Sequence, residues 1–200
     1  MLFTEGAPVL DFVRTAIFST AVLSIAHACD RTHYLSETLR MSANEFAVPL
    51  DQRYFEDYVP GSSYEYGPIT VSEAEIIDFA KKFDTQYIHT DRQKAAQGPF
   101  GGLIASGWHT ASLMMRLYSD NYISSVAAIA SPGVDELRWI KPVRPGDSLS
   151  IRVTVLEARR SQSKPQMGMV RVSVEVFNQR KEIVMTLKPM NLLRCRNSPR

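Results

Sequence analysis

Cysteine is almost absent from this chain: Cys29 and Cys195 are the only two in 200 residues, far apart and without CxxC spacing. Such a pair supports neither a disulfide framework nor a thiolate zinc site, and a reducing, cytoplasmic compartment is the simplest inference. Histidine is scarce too, and its four copies, His27, His33, His89 and His109, are too dispersed for a metal cluster. Net charge is only +2 with the basic residues scattered, which gives no electrostatic footprint for a nucleic-acid or anionic-membrane partner. Neither GxGxxG nor GxxxxGK with a following Ser or Thr occurs, so the ordinary nucleotide-binding loops are excluded. The most apolar N-terminal run, residues 12–28 (FVRTAIFSTAVLSIAHA), is broken by Arg14 and falls short of the ~20 uninterrupted apolar residues of a membrane span.

The length and a 44% hydrophobic content suffice for one good core, which argues for a single domain. Residues 1–40 read as an extension. Ala26-His27-Ala28 before Cys29 has the look of a signal-peptidase site, yet Glu5 and Asp11 oppose Arg14 where a signal needs a basic leader. The other reading places the natural start at Met41, because MSANEFAVPLDQRYFEDYVPG runs as a polar leader into the domain 41–200.

Within that domain YEYGPITV reads as a first strand. Ser72 and Glu75 form a capping box, and Ile76, Phe79, Ala80 and Phe83 follow at helical spacing, which predicts a helix over 73–83. From Leu103 to Tyr118 most of the circumference is apolar, the pattern of a buried helix. Leu149, Ile151, Val153 and Val155, then Val170, Val172, Val174 and Val176, alternate with polar residues as antiparallel strands with one wet face do. A last strand over 183–193 contains Pro189, which bends it or places it at an edge. Consecutive strands with no helices between them exclude βαβ units, so the fold class is α+β, an antiparallel sheet wrapped around one long buried helix.

The chemistry-bearing residues gather where the first helix must end. In FDTQYIHTDR, Asp84 and His89 stand five positions apart, a carboxylate and an imidazole suited to proton transfer near neutral pH. Gly107 can offer a backbone amide at the start of the long helix, and charge developing on a thioester oxygen needs such a donor. Gly101 and Gly102 would allow a ligand close to the backbone, or simply make a turn. Asp91 reads as a loop cap and His109 as a satisfied core histidine. Trp108, Met114 and Met115 read as core, and Arg138, Lys141 and Arg144 as solvated loop cations or contacts for phosphates.

Four pieces in order carry a resemblance: YFEDYVPGSSYEYGPITVSEAEIIDFAKKFD, the Asp84-x4-His89 pair, FGGLIASGWHTASL, and the loop ELRWIKPVRPGD. Over residues 54–194 the chain resembles the MaoC-like dehydratases, the (R)-specific enoyl-CoA hydratase group of the hot-dog fold. That resemblance implies a single hot-dog domain acting as a homodimer on an acyl-CoA substrate, with no metal or redox cofactor. It puts a water between Asp84 and His89 for addition to a 2-enoyl thioester, with Gly107 as the oxyanion amide and Gly101, Gly102, Ser106 and Tyr87 around the substrate. The family motif D-x-N-P-x-H reads here Asp84-Thr85-Gln86-Tyr87-Ile88-His89; losing the proline frees φ, and the Tyr87 ring is expected to narrow the site. Two other functions fit the same pieces: a hot-dog thioesterase, and a catalytically silent acyl-CoA binder or partner subunit.

Overall fold

The computed structural model describes residues 45–197; the readings made on residues 1–40 and on a start at Met41 lie outside them. The capping box closes as its residues require. Ser72 Oγ accepts the Glu75 N–H at 3.2 Å, and a Glu75 carboxylate oxygen accepts the Ser72 N–H at 3.0 Å. They start helix α1, Glu73–Phe83, which buries Ile76 and Ala80. Phe83 does not join that buried face; it is 72% exposed at the helix exit. A short helix α2, Tyr87–Thr90, follows, then α3, Arg92–Ala96, capped by Asp91, whose Oδ1 accepts the Gln93 and Lys94 N–H groups at 3.0 Å each.

Five strands make one antiparallel sheet: β1, Ser63–Thr70; β2, Ala128–Trp139; β3, Ser148–Arg160; β4, Met167–Phe177; and β5, Ile183–Arg194, in the spatial order β1-β3-β4-β5-β2. The alternation in β3 and β4 is that read from sequence: Leu149, Ile151, Val153 and Val155 and the four valines of β4 are each at most 1% exposed. Burial of such a side chain stabilises the fold by about 1.5–3 kcal/mol. These residues share one core with Met114, Leu117 and Tyr118 of helix α4, Gly107–Asn121.

Three expectations are corrected. Pro189 is not at an edge, because β5 lies between β4 and β2; it pairs with Val134 in a stretch of β2 whose register shifts on both sides. The segment read as a loop into the strands instead contains the end of β2, an edge strand, where Pro132 is tolerated because one side of an edge strand needs no ladder bond. Finally, α4 is not buried all round: Trp108 is 59% and Met115 50% exposed. The side carrying His109, Thr110, Met114, Leu117 and Tyr118 is buried, Met114, Leu117 and Tyr118 in the core with the strands and His109 against Phe79 of α1, while the other side is left open.

Candidate active site

Asp84 ends α1 in a non-helical conformation (φ −153°, ψ 77°), its N–H still bonded to Ala80 O at 2.9 Å. Both carboxylate oxygens are held: Oδ2 accepts the Ser106 hydroxyl at 2.7 Å and Oδ1 the Gln86 side-chain amide at 2.8 Å. The Ser106 hydrogen bond above all, with Gln86 and the neighbouring His89 adding to it against some desolvation, keeps the Asp84 carboxyl below the usual carboxylate range. The side chain therefore works as an anion whose orientation is fixed.

His89 sits in α2 and is 5% exposed. Its Nδ1 lies 2.8 Å from Ile104 O; a carbonyl only accepts, so Nδ1 carries the proton and Nε2 of the neutral ring is an acceptor. That Nε2 is 3.4 Å from Asp84 Oδ2. In the neutral ring neither atom has a proton for the other, so the pair is complementary to a small molecule with two donor hydrogens, and water is the simplest. The Ile104 carbonyl decides which nitrogen is the base.

The third component is the start of α4. Ser106, fully buried, is its N-cap: Oγ accepts the Trp108 N–H at 3.2 Å while donating to Asp84. One hydroxyl thereby ties the helix start to the carboxylate. The Gly107 N–H is one of the first-turn donors that a helix cannot satisfy internally, and it meets no acceptor among the described residues. Asp84, Gln86, His89 and Gly107 all line a cavity of about 430 Å³ whose remaining wall is largely apolar, including Ile104, Ile140 and Val143. A polar end with a base, an anion and a helix amide, joined to an apolar slot, suits the addition of water across a conjugated carbonyl compound.

Not every residue named from sequence comes together here. Ser106 meets the carboxylate and is not among the residues lining the cavity. Gly101 (φ +63°) and Gly102 (φ +155°) form a turn before Leu103, Gly102 against the Arg144 guanidinium, and neither lines the cavity. Arg144 donates to Phe100 O at 2.6 Å, and Arg138 to Leu137 O at 2.9 Å. Tyr87 is 46% exposed and its ring lies over Gly98, so it does not narrow the cavity: the α2 turn directs it away. His109 stacks on Phe79 at 4.8 Å between ring centroids, and burial lowers its pKa. Its Nδ1 has no partner among the described residues. Sequence reasoning missed Trp139, which lines the cavity and packs on Gly107. The one available signal was that both tryptophans of the chain fall in the motif-bearing pieces.

Residues 57–178 match the MaoC like domain. The chain belongs to the MaoC-like domain family. A MaoC-like dehydratase from Rhodospirillum rubrum is a similar solved structure, 34% identical with a TM-score of 0.68, the match covering 73% of this chain and 99% of that one. Among curated relatives, YdeM of Bacillus subtilis, an uncharacterized protein, is 31% identical over 62% of this chain and 87% of its own length. The 3-hydroxyacyl-thioester dehydratase Z of Mycobacterium tuberculosis is 30% identical over 54% of this chain and 73% of its own. The MaoC-like region contains Asp84, Gln86, His89, Ser106, Gly107 and Trp139, and the hot-dog fold expected of the family is the one described above.

Proposed function

We propose that this protein catalyses the reversible hydration of a 2-enoyl-CoA to a (3R)-3-hydroxyacyl-CoA. The observation that carries the reading is the orientation of His89: with Nδ1 committed to Ile104 O, its basic Nε2 faces the ionised Asp84 across 3.4 Å at the polar end of the cavity. Water between them donates one hydrogen to each. As water oxygen adds to C3, His89 Nε2 takes a proton, and the electron pair of the double bond moves toward the thioester oxygen, where the Gly107 N–H stabilises it. Collapse of that enolate carries the proton held on His89 to C2, which regenerates the base and places one hydrogen and one hydroxyl across the former double bond, and the thioester stays intact. Water and the acid–base groups suffice for this reaction. The relative named a 3-hydroxyacyl-thioester dehydratase supports the reaction class.

A homodimer goes with the reading. Two open surfaces of the single chain support it: the β2 edge, with Ile129 and Val134 exposed, and the α4 face carrying Trp108 and Met115. Asp84→Asn and His89→Ala test the mechanism. Each is expected to lower kcat by about 10²–10⁴-fold while leaving the far-UV circular dichroism of the fold intact. Wild-type turnover in either variant would rule out the assigned roles.

A further inference from the structure

Trp139 ends β2 and reaches the first turn of α4. Its indole Nε1–H donates to Gly107 O at 2.8 Å. Its ring presses so closely on Gly107 that a Cβ there would lie 2.5 Å from Cε2 and 2.7 Å from Nε1. Glycine is required at 107 because the space beside its Cα belongs to the indole. On the other side the Ser106 hydroxyl holds the next N–H and the Asp84 carboxylate. The Gly107–Trp108 peptide is thus held at both its carbonyl and its N–H, and the adjoining Ser106–Gly107 peptide, whose carbonyl accepts the Thr110 N–H at 3.0 Å, has its Gly107 N–H left open. Trp108 braces the indole from outside, edge on at 5.3 Å and 75°.

We infer that Trp139 is a positioning residue of the hydration site, fixing the Gly107 amide where the thioester oxygen gains charge. The inference rests on the reading of Gly107 as the oxyanion donor. The opening turn of a helix has the fewest internal bonds, whereas an oxyanion donor is effective only when held in place before the charge forms. A hydrogen bond on the carbonyl and a ring against the Cα supply the restraint that the turn itself lacks. Because the charge appears only as water adds, loosening this grip affects the transition state more than substrate binding.

The test compares wild type with Trp139→Phe, which keeps a flat ring and loses the N–H, and Trp139→Leu, which loses both, with Asp84→Asn as the inactive reference. Steady-state hydration of crotonyl-CoA gives kcat and KM, and hydrogen exchange reports the amides of residues 106–112. The expected result is a kcat about 10- to 100-fold lower in Trp139→Phe, and lower again in Trp139→Leu. KM should stay within about threefold, and exchange should quicken in the first turn of α4 while β3 and β4 keep wild-type protection. Wild-type kcat in Trp139→Phe, or a change confined to KM, overturns the inference while leaving the hydratase reading intact. If wild type itself hydrates nothing, it is the hydratase reading that fails, and the inference falls with it. If Trp139→Leu does not fold, the exchange and kcat of Trp139→Phe decide alone.

Discussion

Replacing Ser106 by alanine removes one hydroxyl that serves the fold and the site together. That hydroxyl caps α4 through the Trp108 N–H at 3.2 Å and donates to Asp84 Oδ2 at 2.7 Å, in a side chain with no exposure to solvent. Loss of such a cap costs about 0.5–2 kcal/mol, and loss of a bond to an ionised group about 1.5–3 kcal/mol. The two do not add in full, since cavity water can take over the bond to Asp84, and the expected loss is about 1–3 kcal/mol. A domain of ordinary stability, about 5–15 kcal/mol, survives it, and the urea midpoint should fall by about 1 M. The site should respond in its pH dependence. Ser106 is the largest cause of the depressed Asp84 pKa, so in Ser106→Ala that pKa rises toward the ordinary carboxylate value. The Asp84 carboxyl, followed by NMR, should therefore titrate at higher pH in the variant than in wild type. The stability contribution follows from the same shift: a depressed carboxyl stabilises above its unfolded pKa and loses that support as pH falls through the folded one. The midpoint gap between variant and wild type should therefore narrow in acid. Denaturation curves and the Asp84 carboxyl titration of both proteins measure all of this. An unchanged Asp84 titration, or a midpoint equal to wild type, would refute the linkage of helix cap and carboxylate.

Two further outcomes concern the fold around the site. Glu182 takes hydrogen bonds from Asn178, Lys141 and Arg180, which lower its pKa from 4.5 to about 2, so Glu182→Gln should be less stable than wild type at pH 6, with the gap narrowing as pH falls below 4.5 and closing only below about 2, as a thermal-melt series over pH would show. The Phe55 ring occupies the space beside Gly168 in β4, where a Cβ would come within 2.3 Å of it, so Gly168→Ala should cost about 1–3 kcal/mol by overpacking. Chemical denaturation measures that cost, and Phe55→Ala combined with it should recover part of the loss.

How much of this was readable from the sequence depends on how far each interaction reaches along the chain. The capping box spans three residues, and the valine alternation of β4 a single strand, so α1, β3 and β4 were legible. Asp84 and His89 were legible because the helix exit brings them together over five positions. By contrast β2 carries Ser131-Pro132-Gly133 and register shifts on both sides of Val134, which erase the period of two, so its last residues read as loop. The apolar girth of α4 spoke for burial, but composition cannot tell a face covered by the chain's own core from one left open. The contacts that tune the site join distant segments. Ser106 meets Asp84 across 22 positions, the Ile104 carbonyl fixes the His89 tautomer across 15, and Trp139 covers Gly107 across 32. No local spacing reports them.

The central claim is that an intact enoyl thioester gains water in this cavity, and one mixture tests it directly. Purified protein is incubated with crotonyl-CoA while the conjugated enoyl absorbance and a thiol reagent are followed together. The account predicts that the absorbance falls to an equilibrium level with no thiol released, and that (3R)-3-hydroxybutyryl-CoA is the product. Thiol released in step with the absorbance change would make the protein a thioesterase and contradict the account. A flat trace in both channels, with crotonyl-CoA nonetheless bound, would equally contradict it and leave an acyl-CoA binder.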